Sequence, residues 1–191
     1  RGTTPGPGLG ANGGMADLIT VPNRHVIPLG DLDPVEAAPL TDAGLTPYHA
    51  ISLARSRIDA SSTVVVIGVG GLGHMGLQIL RATSGARIVA LDTDEQRLKQ
   101  ASDLGADATL VSDDRSAAEI TRMTGGVGAD VVFDFVGATP TLTTAVGCIG
   151  SGGFVSAVGL AGGEIPFRPE AVPTDIPWGT TFSRPTAAPG V

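Results

Sequence analysis

From Thr63 onward the chain alternates short β-branched runs with amphipathic stretches, a pattern that admits little besides a parallel sheet covered by helices. Strands are expected at residues 63–67, 87–91, 108–111, 131–135 and 154–158, with helices at 72–83, 94–104, 116–123 and 140–146. Within the second helix, Leu98, Ala101 and Leu104 recur at helical spacing. Asp94 is placed as an N-cap or first-turn acid, and Gly105 closes the helix. Such a right-handed βαβ series builds a doubly wound α/β domain.

Its first turn carries the chemistry. The strand "TVVVI" runs directly into Gly68-Val69-Gly70-Gly71-Leu72-Gly73, and "HMGLQILRAT" follows with a helical pattern. A GxGxxG alone is weak, but a strand before it and a helix after it make it a dinucleotide-binding signature. Gly68 allows the tight turn, Gly70 lets backbone approach a pyrophosphate, and Gly73 lets the helix lie close to the strand. Amides at that helix N-terminus bind phosphate oxygens. Asp92 ends "RIVALD", 19 positions after Gly73 (92 minus 73), where an acid accepts both ribose hydroxyls of an adenosine. A fixed negative charge there disfavours a 2′-phosphate and so favours NAD over NADP. The alternative for Asp92 is a turn or N-cap acid. Asp134, in "FDFVGA", either lines the cofactor groove or satisfies backbone amides.

Before Thr63 the texture changes. "GGMADLITVPNRHVIPLGDLDP" has strand-like pieces broken by Pro and Asp-Pro turns, as in the tail of a different, mostly β domain. Residues 35–55 read as helix, turn and helix. Within them Asp42 stands in "AAPLTDAGLTPYHAI" among Ala, Pro, Leu and Gly. A carboxylate buried in such company needs a partner, either a metal ion or the amides of a helix starting near Ala43.

Composition removes several classes. The net charge of −7 supplies no basic stripe for a phosphate backbone, so nucleic acid is not an expected partner. The longest near-apolar run, residues 63–72, is too short to span a bilayer; no membrane partner is expected, and no signal peptide is visible at "RGTTPGPGLG". A cytoplasmic location is therefore expected. One Cys, Cys148, allows neither an internal disulfide nor a Cys-rich zinc site and is expected to pack as a small hydrophobe. His25, His49 and His74 are the only imidazoles, with packing or surface roles expected for each; His74, directly after Gly73, is also placed to orient phosphate.

Four stretches, "PLTDAGLTPYHAI", "VVVIGVGGLGHMGLQIL", "ALDTDEQRLKQASDLGAD" and "VFDFVGA", together resemble the medium-chain, zinc-dependent alcohol dehydrogenase family. The likeness extends over about residues 13–163 and is nearest to bacterial NAD-dependent secondary-alcohol dehydrogenases in which Asp replaces Cys as a catalytic-zinc ligand. The resemblance implies an α/β Rossmann doubly wound parallel sheet, residues 43–191, truncated at its C-terminal end. Residues 1–42 would be a linker and remnant of a mostly β, GroES-like catalytic domain. It implies NAD and a catalytic zinc as cofactors, and a small alcohol, aldehyde or ketone as substrate, with homo-oligomers in the full-length protein. By the same resemblance Asp42 would ligate the zinc and Thr46 would touch the nicotinamide. Gly70, Gly71 and Leu72 would hold the pyrophosphate, and Asp92 and Arg97 the adenosine ribose. Val136, Val158, Gly159 and Leu160 would line the far side of the cofactor.

The family's Cys, its Gly-His-Glu motif and its four-Cys loop do not occur here, and beyond "WGTT", residues 178–181, the sequence turns Pro-rich in "SRPTAAPGV". The expected reading is an internal fragment, inactive by itself, of an enzyme that oxidises alcohols. The alternatives are a zinc-free quinone reductase of the same superfamily and an NAD-binding module without chemistry of its own.

Overall fold

The computed structural model describes residues 6–8 and 10–165. Trp178 and the Pro-rich tail lie outside the described residues. Two compact units are present, the first running to Ala38 and the second beginning at Pro39.

In the first unit, the only ladder among the described residues joins Gly6–Pro7 to Gly10–Ala11. The strand-like pieces expected between Gly13 and Leu32 form no strand; Leu18, Val26 and Ile27 are exposed. A β-prone run without a neighbouring strand has nothing to accept its backbone hydrogen bonds. One helical turn, Pro34–Ala37, closes the unit, with Pro at its first position and the Asp33 carboxylate accepting from the amides of Val35 and Glu36.

The second unit contains a five-stranded parallel sheet. Its elements are α1 (Leu45–Ala54), β1 (Thr63–Ile67), α2 (Gly71–Thr83), β2 (Arg87–Asp92), α3 (Glu95–Asp103), β3 (Ala108–Val111), α4 (Ser116–Met123), β4 (Ala129–Asp134), α5 (Thr139–Cys148) and β5 (Ile149–Ala157). The strand order is β3-β2-β1-β4-β5. The chain moves outward from β1 through β2 to β3, then returns to the other side of β1 for β4 and β5. That reversal opens a crevice at the carboxyl ends of β1 and β4, where open α/β sheets bind ligands.

Both faces of the sheet are apolar, as a doubly covered parallel sheet requires. Val64 and Val66 pack with Ala50 and Ile51 of α1, Leu77 and Leu80 of α2 and Ala101 of α3. Val65 and Ile67, one residue out of phase, pack with Ile120 of α4 and Ala145 and Cys148 of α5. Cys148 is fully buried there, and burial pushes its thiol up to about 12, so it behaves as the expected small hydrophobe.

Asp94 caps α3, its carboxylate accepting from the amides of Gln96 and Arg97, and Gly105 ends it with φ +99°. Two strands begin earlier than expected. β4 covers Ala129–Asp134 rather than 131–135, and β5 begins at Ile149 rather than 154. Pairing of Ala129 with Ile149 and of Val131 with Phe154 brackets a register shift. The guanidinium of Arg57 donates to the Gly152 carbonyl and lies over the Phe154 ring, so a distant residue steadies a Gly-rich run that has little strand propensity. No helix among the described residues is long and apolar enough to cross a membrane.

Candidate functional site

The turn from β1 into α2 is built by close backbone approach. Gly68 has φ +84°, and a Cβ on it would lie 2.5 Å from Cγ2 of Val136. A Cβ on Gly73 would overlap the carbonyl oxygen of Gly68, and one on Gly76 would sit 2.9 Å from the Phe135 ring. Glycine at 73 and 76 thus lets α2 settle onto the sheet. Gly70 and Gly71 differ: nothing lies within 4 Å of a Cβ on either. Their backbone faces open space, the condition for close approach by a bulky anion. The first-turn amides of α2 have no intrahelical acceptor, no side chain caps them, and the helix dipole adds positive potential there.

Across the turn stands Asp92, 6% exposed, at the carboxyl end of β2. Its Oδ2 accepts from the Val69 amide at 2.7 Å and its Oδ1 from the Asp94 amide at 3.0 Å. These bonds fix the carboxylate against the Gly-rich turn and leave lone pairs on both oxygens for further donors. Arg97, half exposed, has Nη1 3.8 Å from Asp92 and Nε 3.9 Å from Asp94, a loose pairing that contributes little energy in water.

These groups line one groove of about 560 Å³. Of the residues predicted for the site, Gly68, Gly70, Gly71, Leu72 and Gly73 line it from the turn, and Asp92 and Arg97 from the β2 side. Val136 and Asp42 complete the predicted set on its walls. Thr46, Val158, Gly159 and Leu160 do not line it. Val158 is buried in the core, and Leu160 is 77% exposed. The Gly159 backbone abuts Val136, and the amides of Val158 and Gly159 both donate to the Asp134 carbonyl.

Sequence reasoning missed Thr93, Ser112 and Thr141 on the lining. The first two directly follow β2 and β3, so the rule that ligands sit at the carboxyl ends of strands could have found them. Thr141 is reached through Asp134, which is fully buried. The Asp134 carboxylate accepts from the amides of Val136 and Gly137 at 2.8 and 3.0 Å and from the Thr141 hydroxyl at 2.8 Å. Of its two readings, the structure supports the satisfaction of backbone amides.

Asp42 differs from expectation in its surroundings. It is exposed, so water hydrates the carboxylate and the argument from burial does not apply. It is not the cap of α1 either: that helix starts at Leu45 with Gly44 at the N-cap and no side-chain cap bond. The Asp42 carbonyl accepts from the Thr46 amide at 3.0 Å, and its carboxylate from the Thr46 hydroxyl at 3.3 Å. Among the described residues no three His, Cys, Asp or Glu side chains come together as a metal site. The donors present do not fit a zinc ion, which takes four ligands, at least three from protein.

The model of the family described as "Zinc-binding dehydrogenase" matches residues 71–176, more than half of the chain. An NAD-dependent alcohol dehydrogenase of Sulfurisphaera tokodaii is 38% identical over 164 residues, covering 84% of this chain and 47% of that protein. Among solved structures, the alcohol dehydrogenase of Aeropyrum pernix superposes with TM-score 0.80 at 37% identity, covering 86% of this chain and 48% of that one. The D-arabinose dehydrogenase of Sulfolobus solfataricus does so with TM-score 0.76 at 33% identity, covering 81% and 49%. The chain spans about half the length of the curated relatives it matches. With a sheet that reverses at β1, a Gly-rich turn open to solvent and an acid fixed beside it, this chain belongs to the zinc-binding, medium-chain alcohol dehydrogenase family.

Proposed function

We propose that the chain is the coenzyme-binding part of an NAD-dependent alcohol dehydrogenase acting in the cytoplasm on a small alcohol, aldehyde or ketone. The observation that carries this reading is the Asp92 carboxylate, held by the Val69 amide beside the open Gly70–Gly71 backbone. Asp92 would accept both hydroxyls of an adenosine ribose, and the amides that open α2 would hold the pyrophosphate. A 2′-phosphate would meet the carboxylate charge, with only the loosely paired Arg97 to offset it. NAD, when bound, accepts a hydride from the alcohol carbon as that alcohol becomes an aldehyde or ketone. The chain's own residues bind and orient the coenzyme. The similarity to the Sulfurisphaera tokodaii protein, which is called an NAD-dependent alcohol dehydrogenase, supports the reading too.

Asp42 is proposed as one zinc ligand of the full-length protein, the other ligands being supplied by residues outside this chain. Thr46 in this reading faces the nicotinamide once a substrate domain is present, and Val158, Gly159 and Leu160 border the coenzyme by their backbone.

The test is a titration of NAD and NADP against the unmodified chain and Asp92→Ala. NAD is expected to bind more tightly, and the substitution to weaken NAD about tenfold or more while narrowing the difference, as loss of charge-assisted bonds predicts. Tighter binding of NADP by the unmodified chain would overturn the assignment.

A further inference from the structure

The carbonyl of Gly70 accepts two bonds from one residue: the His74 amide at 3.0 Å and the His74 ring, through Nδ1, at 2.9 Å. A carbonyl has no proton to give, so in this contact Nδ1 carries the hydrogen and donates it. The ring is partly buried and does not line the groove.

This second donor sits where the backbone most needs one. Gly70 and Gly71 have no packing within 4 Å of their Cβ positions, and glycine is the poorest helix former after proline. A peptide between two such residues rotates at little cost unless its carbonyl is held. Because the peptide is planar and trans, the Gly70 carbonyl and the Gly71 amide point in opposite directions. Whatever holds the carbonyl along the helix therefore holds the amide toward the groove.

We infer that His74 is a positioning residue for the pyrophosphate: its Nδ1–H anchors the Gly70 carbonyl and thereby presents the Gly71 amide to the coenzyme. The inference rests on the coenzyme reading above. It concerns the diphosphate alone, since the adenosine end is held by Asp92.

Two ligands separate the two ends of the coenzyme, adenosine and ADP-ribose, each titrated by NMR into the unmodified chain and three variants. His74→Asn keeps a donor near the position of Nδ1, His74→Leu keeps bulk without a donor, and His74→Ala keeps neither. The Leu and Ala variants are expected to bind ADP-ribose about five- to twentyfold more weakly with adenosine unchanged, and Asn to recover to within about twofold, the range of one well-placed hydrogen bond. A Leu variant that binds ADP-ribose as the unmodified chain does, or an Asn variant that fails to recover, overturns the role of His74. Equal loss of both ligands in Leu and Asn also overturns it, because that marks general damage to the fold. If Ala does not fold, the Leu and Asn pair still decides. An unmodified chain that binds neither ligand overturns the coenzyme reading itself and the inference with it.

Discussion

The Gly68–Gly73 turn with Asp92 and the Asp42–Thr46 turn, of which Asp42 reaches the same groove, are built on opposite terms. In the first, the constraints are many and mostly near at hand: Asp92 is fixed by the Val69 and Asp94 amides, Gly73 meets the Gly68 carbonyl, and Val136 closes over Gly68. In the second, Asp42 touches Thr46 four residues on and is otherwise open to water, while Leu45 and Tyr48 of α1 are 60% and 54% exposed. A turn whose main contacts lie within one βαβ unit and the neighbouring strand is finished by this chain's own sequence. The Asp42–Thr46 turn, which meets little beyond itself, is not.

The sharpest way to break that contrast is Gly73→Val. Overlap with the Gly68 carbonyl forces the turn and α2 apart, and the expected loss exceeds about 3 kcal/mol, enough to abolish a cooperative urea transition. Survival of a native-like transition would show that the turn is softer than its contacts indicate.

Asp134→Ala comes next. The Thr141 hydroxyl can still donate to the Ala138 carbonyl, but the amides of Val136 and Gly137 lose their acceptor, at a cost of about 2–4 kcal/mol. Asp134→Asn, which retains one acceptor oxygen, is expected to recover most of it in the same denaturation experiment.

Gly70→Ala separates binding from folding. Stability should change by less than about 1 kcal/mol because its Cβ meets nothing. Affinity for NAD should fall about tenfold as the methyl group occupies the phosphate approach. Calorimetric titration beside thermal unfolding reads both, and a parallel loss of both would contradict the open-backbone account.

The smallest effect is reserved for Asp42→Ala in this chain, expected within about 0.5 kcal/mol in stability and silent in NAD binding. The unmodified chain is expected to show no zinc-dependent reduction of NAD with simple alcohols. In the full-length protein the same substitution should remove zinc and turnover while NAD binding persists. Full zinc occupancy there would end the ligand proposal.

The legibility of the sequence follows the same division. All five strands and the helices between them were readable because β-branched runs and 3.6-residue spacing are local signals. So was the Gly-rich turn with Asp92, whose spacing is internal to one unit. The beginnings of β4 and β5 were not, since Ala129 and Ile149 sit among glycines and pair only through tertiary contact, with Arg57 fastening Gly152 from 95 residues away. Thr141 escaped notice because its link to the groove runs through a buried side chain. The exposure of Asp42 was misjudged because apolar neighbours in sequence do not bury a residue unless something packs over them.

The central position of β1 has a consequence for how the chain acquires its structure. β1 pairs on one side with β2, beginning at Thr63 with Arg87, and on the other with β4, where Val64 meets Val131, a separation of 67 positions (131 minus 64). Closing so long a loop is entropically slower than forming the adjacent βαβ unit. During synthesis the run "TVVVI" therefore emerges, pairs along one edge, and waits with its other edge bare until Asp134 has left the ribosome. In that interval an almost wholly apolar strand, Thr63–Ile67, stands open to pairing with a neighbouring chain.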